Sequence, residues 1–258
     1  MTGMRYHFLD NLRGLTFISM ALFHTMWDLV YLFGIEASWF SGTPGYIWQQ
    51  SILWTFILLS GFCCGLSRHQ FKRGAIVFGA GALVTLVTVI AMPQDAVCFG
   101  VLTFLGCAMI VVAPLKPCFE KLPALPALLI CIALFAITRD IPFGYLGFEQ
   151  LHITALPSNL YTNWITTAFG FQFPGFSSTD YVPLLPWIFL YLAGYFLFRA
   201  FPRHEQRSAE NGAVRQVLAL PQQRPWPVVS FIGRHCLGFY LVHQVVIFAV
   251  LSVVFAII

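Results

Sequence analysis

Charged residues are scarce in this chain. Asp, Glu, Lys and Arg make up only 9% of its 258 residues, whereas 59% are hydrophobic, and the mean hydropathy is +0.78. Soluble globular domains carry about 25% charged residues, so the composition excludes that class and predicts a polytopic membrane protein. The formal net charge of +4 does not predict nucleic-acid binding, because the basic residues are spread over short segments instead of being gathered on one domain.

Other familiar patterns are missing as well. The seven cysteines show neither a disulfide framework nor a zinc-ligand spacing, so we expect no metal. The first apolar run is too long for the core of a signal peptide and no small-residue cleavage site follows it, so we expect it to be retained as a helix. The chain also has no internal repeat of the kind that many transporters contain.

Long apolar runs dominate what is present. We predict an all-α transmembrane helix bundle of about seven spans, forming a single domain over residues 1–258. The fifth run is the shortest and the last is overlong, and the prolines around the fourth and fifth leave room for an eighth span. The predicted spans are 12–33, 46–66, 73–92, 97–114, 123–138, 181–200 and 228–257.

The positive charges predict the orientation. Lys and Arg in short loops stay on the cytosolic side, and with a cytosolic N-terminus every one of the 14 except Arg139 falls on or near that side.

Two longer connections join the predicted spans. The outer segment 139–180 is rich in aromatic residues and is either an interfacial belt or a lid over a cavity. The inner segment 201–227 is polar and rich in Arg, Gln and Pro, which predicts a linker.

His24 and Asp28 lie one helical turn apart within the first apolar run. Ionisable groups at membrane depth cost several kcal/mol and are kept chiefly where they pair or act. A carboxylate that hydrogen-bonds one imidazole nitrogen fixes the tautomer and leaves the other nitrogen basic. The pair is therefore our candidate reaction centre, with His24 as a general base oriented by Asp28. The alternative is a pair that only ties helices together.

Basic residues at the inner end of the helices are candidates for binding phosphate. Arg13 offers a guanidinium fork, and the adjacent Gly14 permits close approach. The alternative is that these residues only reach toward lipid headgroups, as positive-inside residues do. The other candidates in this group are Arg68, Lys72, Arg73 and Arg234.

Further polar residues are candidates for binding a substrate. Tyr240 and His243 are three residues apart in the last run and so share a helix face. A single intramembrane histidine is as often satisfied by a neighbouring helix, which is the alternative. Asp180 precedes the sixth run, and a helix N-cap explains it equally well.

In combination these motifs resemble the integral-membrane acetyltransferases related to the catalytic domain of heparan-alpha-glucosaminide N-acetyltransferase, in particular short bacterial members of unassigned substrate. Nearly the whole chain is covered. The motifs are Leu9-Asp10, Leu12-Arg13-Gly14, Met20 with His24 and Asp28, Leu59-Ser60-Gly61, Phe99-Gly100-Val101-Leu102 with Phe104, the run from Asp180 to Trp187, and Gly233-Arg234 through Tyr240 to His243-Gln244.

The resemblance implies a multi-pass enzyme of a bacterial cytoplasmic membrane. It would draw an acetyl or other acyl group from cytosolic acyl-CoA and pass it to a hydroxyl or amine of a glycan or lipid-linked acceptor on the outer side. Thr103 stands where relatives often have a histidine, and the heparan enzyme has an amide residue at the position of His24, so neither role is carried over in detail. Membrane lipids are expected partners, nucleic acid is not, and a homodimer is an open alternative.

Three questions stay open at this stage. The acyl group passes either directly to the acceptor or by way of an acyl-histidine. The same polar residues would also serve a lipid or glycan transporter, although such proteins usually show internal repeats. Bis-histidine haem ligation by His24 and His243 is a third possibility.

Overall fold

A computed structural model describes residues 7–67, 69–200 and 226–257, and it is mainly helical. Arg68 and most of the predicted linker 201–227 lie outside the described residues. The chain divides into two compact units. The first comprises residues 1–56 and 203–258, and the second comprises residues 57–202.

Helices account for nearly all regular structure among the described residues. Helix α1 is extended by a π-helical turn, Asp28–Leu32, and α3 begins in the first unit and continues into the second. In chain order the elements are α1 His7–Trp27, α2 Ser38–Ser41, α3 Thr43–Cys64, α4 Gln70–Ala91, α5 Val101–Phe119, α6 Ala124–Ile137, β1 Tyr145–Phe148, β2 Leu151–Ala155, α7 Trp164–Phe169, α8 Leu184–Ala200, α9 Pro227–Arg234 and α10 Cys236–Ile257.

In the first unit, α1 packs against α9 and α10. The crossing with α9 depends on two glycines. A Cβ atom at Gly14 would lie 2.1 Å from the carbonyl oxygen of Val229, and one at Gly233 would lie 1.9 Å from that of Asp10. Small residues let helix backbones approach this closely in membranes. Beside the crossing, the buried Asn11 accepts a hydrogen bond of 2.9 Å from the Ser230 hydroxyl.

In the second unit, α4 packs on α5 and α6 packs on α8. Basic side chains complete two helix ends there. Lys116 donates to the carbonyl oxygens of Cys64 and Ser67 at the end of α3, and Arg199 donates to those of Phe119 and Glu120 at the end of α5. These bonds satisfy carbonyl groups that a helix leaves without intrahelical partners.

The aromatic segment 139–180 is folded. Strands β1 and β2 form an antiparallel hairpin, and Asn163 closes a capping box at the start of α7. Within the second unit the segment is tied to neighbouring helices, since Arg139 lies over the ring of Trp187 in α8 and Ser178 accepts from the backbone N–H of Cys98. Its function as a belt or a lid stays a prediction.

The helices predicted from the apolar runs are present, since each of the seven runs contains a helix. Five of the described helices are long and apolar enough to cross a membrane, whereas α6 and α8 are shorter. The number of spans and the cytosolic N-terminus stay predictions.

Two predicted boundaries were wrong. The fourth run does not end at Pro114, because α5 continues through Pro114 and Pro117 to Phe119; neighbouring groups can satisfy the backbone that a proline frees inside a membrane helix. The last run is not one continuous helix. It is interrupted at His235, whose ring Nδ1 lies 3.0 Å from the carbonyl oxygen of Phe231 and reinforces a tight turn.

Candidate active site

His24 and His243, which are more than two hundred residues apart, meet in the first unit. Helix α1 supplies His24 and α10 supplies His243, and their ring centroids lie 5.0 Å apart with the planes inclined by 67°. The sequence indicated each histidine as a candidate and joined the two only in the haem alternative. The contact places two potential proton acceptors side by side in helices long enough to cross a membrane.

The predicted direct bond from Asp28 to His24 is absent among the described residues. Asp28 is fully buried (0% exposed), and its Oδ1 accepts a 2.8 Å hydrogen bond from Nε2 of Gln244 in α10. The π-helical turn begins at Asp28, whose carbonyl accepts from the N–H of Phe33, so the regular helical spacing that pairs residues four apart ends there. Asp28 therefore ties α1 to α10, which was the alternative interpretation.

His243 is held in a defined orientation. Its Nδ1 lies 2.6 Å from the carbonyl oxygen of Tyr240. Because a carbonyl only accepts, this contact requires the proton on Nδ1 and leaves a lone pair on Nε2 of the neutral ring. The rings of Phe17 and Tyr240 also pack on His243, with centroid distances of 5.9 and 5.3 Å.

Three buried acceptor atoms in this cluster lack a hydrogen-bond partner among the described residues. They are Oδ2 of Asp28, Oε1 of Gln244 and Nε2 of His243. Buried polar atoms are nearly always paired, so an exception calls for an explanation such as a water molecule, an ion or a catalytic role. A molecule that offers O–H or N–H donors would satisfy all three.

Aromatic side chains line the other side of His24. Phe23 lies 6.0 Å from His24 between ring centroids and contacts Phe40 and Trp48 at 5.0 and 5.4 Å. The indole N–H of Trp48 donates a 2.9 Å hydrogen bond to Ser19 in α1, which fixes the ring. The sequence analysis missed this cluster because it emphasised the aromatic residues of 139–180.

Two predicted phosphate ligands in the described part of the first unit flank the crossing of α1 and α9. Arg13 forms a 3.1 Å ion pair with Asp10, and the exposed Arg234 donates through Nε to the carbonyl oxygen of Ser230. The missing side chain of Gly14 makes room for Val229 of α9, and the part of Gly14 in a phosphate site stays a prediction. Arg13 and Arg234 stay predicted phosphate ligands.

The remaining predicted residues belong to the second unit. Lys72 and Arg73 are exposed in the first turn of α4 and stay predicted phosphate ligands. Asp180 accepts a 2.9 Å hydrogen bond from the backbone N–H of Val101 at the start of α5. Burial raises the pKa of Asp180, and the bond from Val101 lowers it. The contact caps the start of α5, whereas the alternative in the sequence analysis was an N-cap of the sixth run. Substrate binding by Asp180 stays a prediction.

The arrangement bears on metal and haem chemistry. No group of three or more His, Cys, Asp or Glu side chains that could hold a metal ion occurs in the described part of the chain. The rings of His24 and His243 contact each other edge to face. Bis-histidine haem ligation instead separates its two rings by a planar macrocycle, so this geometry does not favour it.

Two amide residues received no role in the sequence analysis, one in the candidate site and one at the crossing of α1 and α9. Gln244 is the donor to Asp28, and Asn11 accepts from Ser230 and from the backbone N–H of Trp226. An available signal was their amide character inside apolar helices, where polar groups are costly unless paired.

Comparison with known families gives a match over almost the whole chain. The model of the family described as heparan-alpha-glucosaminide N-acetyltransferase, catalytic, matches residues 5–245, a range that runs through both units. The search of curated proteins and the search of solved structures returned no match.

Proposed function

The chain belongs to the heparan-alpha-glucosaminide N-acetyltransferase catalytic family, and from that premise we propose that it moves an acyl group across the membrane. The family is one of transmembrane acetyltransferases. The proposed donor is acetyl-CoA or another acyl-CoA on the cytosolic side, and the proposed acceptor is a hydroxyl or amine of a glycan or lipid-linked molecule on the outer side. The proposed location is the cytoplasmic membrane of a bacterium.

One observation carries the proposal beyond family membership. The contact of His24 with His243 lies beside Asp28 and Gln244, and this cluster contains buried acceptor atoms without donors. An acyl transfer needs a group that removes a proton from the acceptor nucleophile. The histidine pair supplies that group, and the unpaired acceptors suit the O–H or N–H of an acceptor molecule.

The donor would be held by basic residues at the inner ends of the helices. Arg13 and the exposed Arg234 flank one helix crossing of the first unit, and Lys72 and Arg73 are exposed on the second unit. Guanidinium and ammonium groups bind the phosphates of coenzyme A through charge-assisted hydrogen bonds. We propose direct transfer to the acceptor, because the hydroxyl or amine of an acceptor would supply the donors that these buried acceptor atoms lack.

The first experiment measures transfer by the purified protein in nanodiscs. The probes are radiolabelled acetyl-CoA with glucosamine as an amine acceptor or methyl glucoside as a hydroxyl acceptor, and the readout is labelled sugar together with released thiol. His24→Ala should still bind acetyl-CoA but lose transfer by about 10²–10⁴-fold. The matched control is His69→Ala, which changes an exposed histidine preceding α4 and should leave transfer unchanged.

Two results would contradict the proposal. A wild-type protein that transfers label to neither sugar would contradict acyl transfer to these acceptor classes. Label that stays on the protein when acetyl-CoA is supplied without acceptor would contradict direct transfer and support an acyl-histidine. The transporter alternative draws no support from the family, and the homodimer stays a prediction.

A further inference from the structure

We propose that His243 is the catalytic base of the site, with Nε2 of its ring taking the proton from the acceptor. The inference rests on the proposed function. It assigns a catalytic role to a residue that the sequence indicated only as a candidate for substrate contact, and it moves the base from α1 to α10.

The ring of His243 is held in one tautomer. The contact between Nδ1 of His243 and the carbonyl oxygen of Tyr240 is 2.6 Å long, so the ring proton lies on Nδ1. Nε2 is buried and has no partner among the described residues. A base needs this combination: one nitrogen oriented by a fixed acceptor and the other free to take a proton.

His24 differs from His243 in the hydrogen bonding of its ring. No hydrogen bond to either ring nitrogen of His24 occurs among the described residues, and its contacts are with the rings of Phe23 and His243. Nothing in the described structure therefore fixes the tautomer of His24. We assign His24 as a positioning residue that packs against the ring of His243 and holds its orientation.

Helix α10 is hydrogen-bonded to the end of α1 at the residue that follows His243. Gln244, the residue after His243, donates to the fully buried Asp28. This bond fixes the rotation of α10 relative to α1 at the level of the base. Phe17 and Tyr240 restrict the ring of His243 on two further sides. A base held this firmly keeps its geometry during the reaction, which is a requirement of efficient catalysis.

The unpartnered atoms of the cluster are complementary to the hydrogen-bond donors of an acceptor molecule. Oδ2 of Asp28, Oε1 of Gln244 and Nε2 of His243 are acceptors without partners in the described part of the chain. A thioester carries no hydrogen-bond donor, whereas a hydroxyl or amine does. The hydrogen-bonding character of the cluster thus matches the acceptor molecule and not the thioester.

The step balances as follows. The acceptor hydroxyl or amine gives its proton to Nε2 of His243 while its oxygen or nitrogen attacks the carbonyl carbon of the acyl-CoA thioester. The carbon–sulfur bond breaks, and the thiolate of coenzyme A takes the proton from the His243 imidazolium. The products are the acylated acceptor and free coenzyme A, and His243 returns to its neutral state.

The test uses His243→Asn, whose amide can keep a hydrogen bond to the Tyr240 carbonyl but has no basic nitrogen at the position of Nε2. Transfer from labelled acetyl-CoA to glucosamine or methyl glucoside should fall by about 10²–10⁴-fold, while acetyl-CoA binding is retained. His235→Asn is the matched control, because that ring also contacts a backbone carbonyl through Nδ1 but is exposed. It should transfer at the wild-type rate.

Two further readouts separate a base from a structural residue. Added imidazole should restore part of the transfer by His243→Ala and none of it by His24→Ala. In protein labelled with ¹⁵N-histidine, the resonances that disappear in His243→Asn should be those of a ring protonated on Nδ1 and unprotonated on Nε2. This measurement needs no substrate, so it tests the tautomer even where the acceptor is wrong.

The outcomes are distinguishable. Transfer retained by His243→Asn, in a preparation where the wild type is active and His24→Ala is not, overturns the assignment of the base and leaves the proposed function standing. A resonance showing Nε2 protonated in the neutral ring also overturns it. A wild-type protein inactive with both sugars counts against the proposed function itself.

Discussion

The two units of the chain treat their buried polar groups differently. In the second unit the two largest such groups have polar neighbours: the amide of Gln70 donates a 2.7 Å hydrogen bond to the Tyr191 hydroxyl, and the buried Arg139 lies 3.2 Å from the Glu149 carboxylate. In the first unit the cluster of Asp28, His243 and Gln244 keeps acceptor atoms without partners among the described residues.

The difference teaches where to look for chemistry. Inside a membrane an unsatisfied polar group costs several kcal/mol, so a structure tolerates several of them together only where a substrate or water completes them. The second unit also has exceptions, the hydroxyls of Ser60 and Ser67 and Nε of Arg139. The hydroxyls are small neutral groups, and Nε of Arg139 lies 3.2 Å from the Glu149 carboxylate. A carboxylate oxygen and a ring nitrogen are costlier to bury without partners, and for this reason we propose the first unit as the place of function.

The sharpest way to break this comparison is to remove both histidines. Residues that act as one catalytic unit show non-additive losses. His24→Ala/His243→Ala should therefore lose transfer by about the same 10²–10⁴-fold as either single variant, measured as labelled sugar formed from acetyl-CoA. A double variant whose loss is the product of the two single losses would show independent roles and contradict the pairing.

A buried charge in the second unit should affect stability instead of chemistry. Arg139→Met removes the cation that lies over Trp187 and pairs with Glu149. Breaking a buried ion pair costs about 3–5 kcal/mol, and we expect about 2 kcal/mol because Glu149 is 35% exposed. The measurement is the melting temperature in detergent, with the exposed Lys121→Met as the control. An unchanged melting temperature would contradict the pair's structural role.

Much of the fold could be predicted from the sequence because membrane helices are specified by local apolar runs. Each run gave a helix, since lipid leaves the backbone no other way to satisfy its hydrogen bonds. The break at His235 could not be predicted from hydropathy, because it depends on a side-chain contact with the Phe231 carbonyl. The continuation of α5 through Pro114 likewise depends on neighbouring groups.

The candidate site was predictable only in part. His24 and Asp28 stood out because ionisable groups are costly in lipid, but the partner of each came from α10, and no spacing within one helix reveals a contact between distant segments. The same holds for Gly14: a small residue that admits a phosphate and one that admits a helix backbone look identical in a sequence. The structure shows that Gly14 admits the backbone of Val229.

A paired amide in the first unit tests whether pairing, and not the unit, decides the effect. Asn11→Ala would leave the buried Ser230 hydroxyl and the N–H of Trp226 without their acceptor. We expect the free energy of unfolding to fall by about 1–2 kcal/mol, which is measured as a lower melting temperature. Asn159→Ala, at an exposed amide, is the control. Equal stability of the two variants would contradict the bond between α1 and α9.

The smallest expected effect concerns the charge on Asp180. Burial raises the pKa of Asp180 above the ordinary 3.8, so the folded state holds the proton more tightly than the unfolded state. The resulting contribution to the free energy of unfolding is complete below pH 3.8. It is lost as the pH rises through the folded pKa. Asp180→Asn keeps an oxygen for the Val101 N–H but removes the charge. At pH 7 it should gain less than about 1 kcal/mol, since the α5 N-terminus itself favours an anion. The gain in stability should shrink as the pH is lowered through the folded pKa. The measurement is the melting temperature of both proteins at pH 4 and at pH 7. A variant that is less stable than the wild type at pH 7 would show that the helix end outweighs burial.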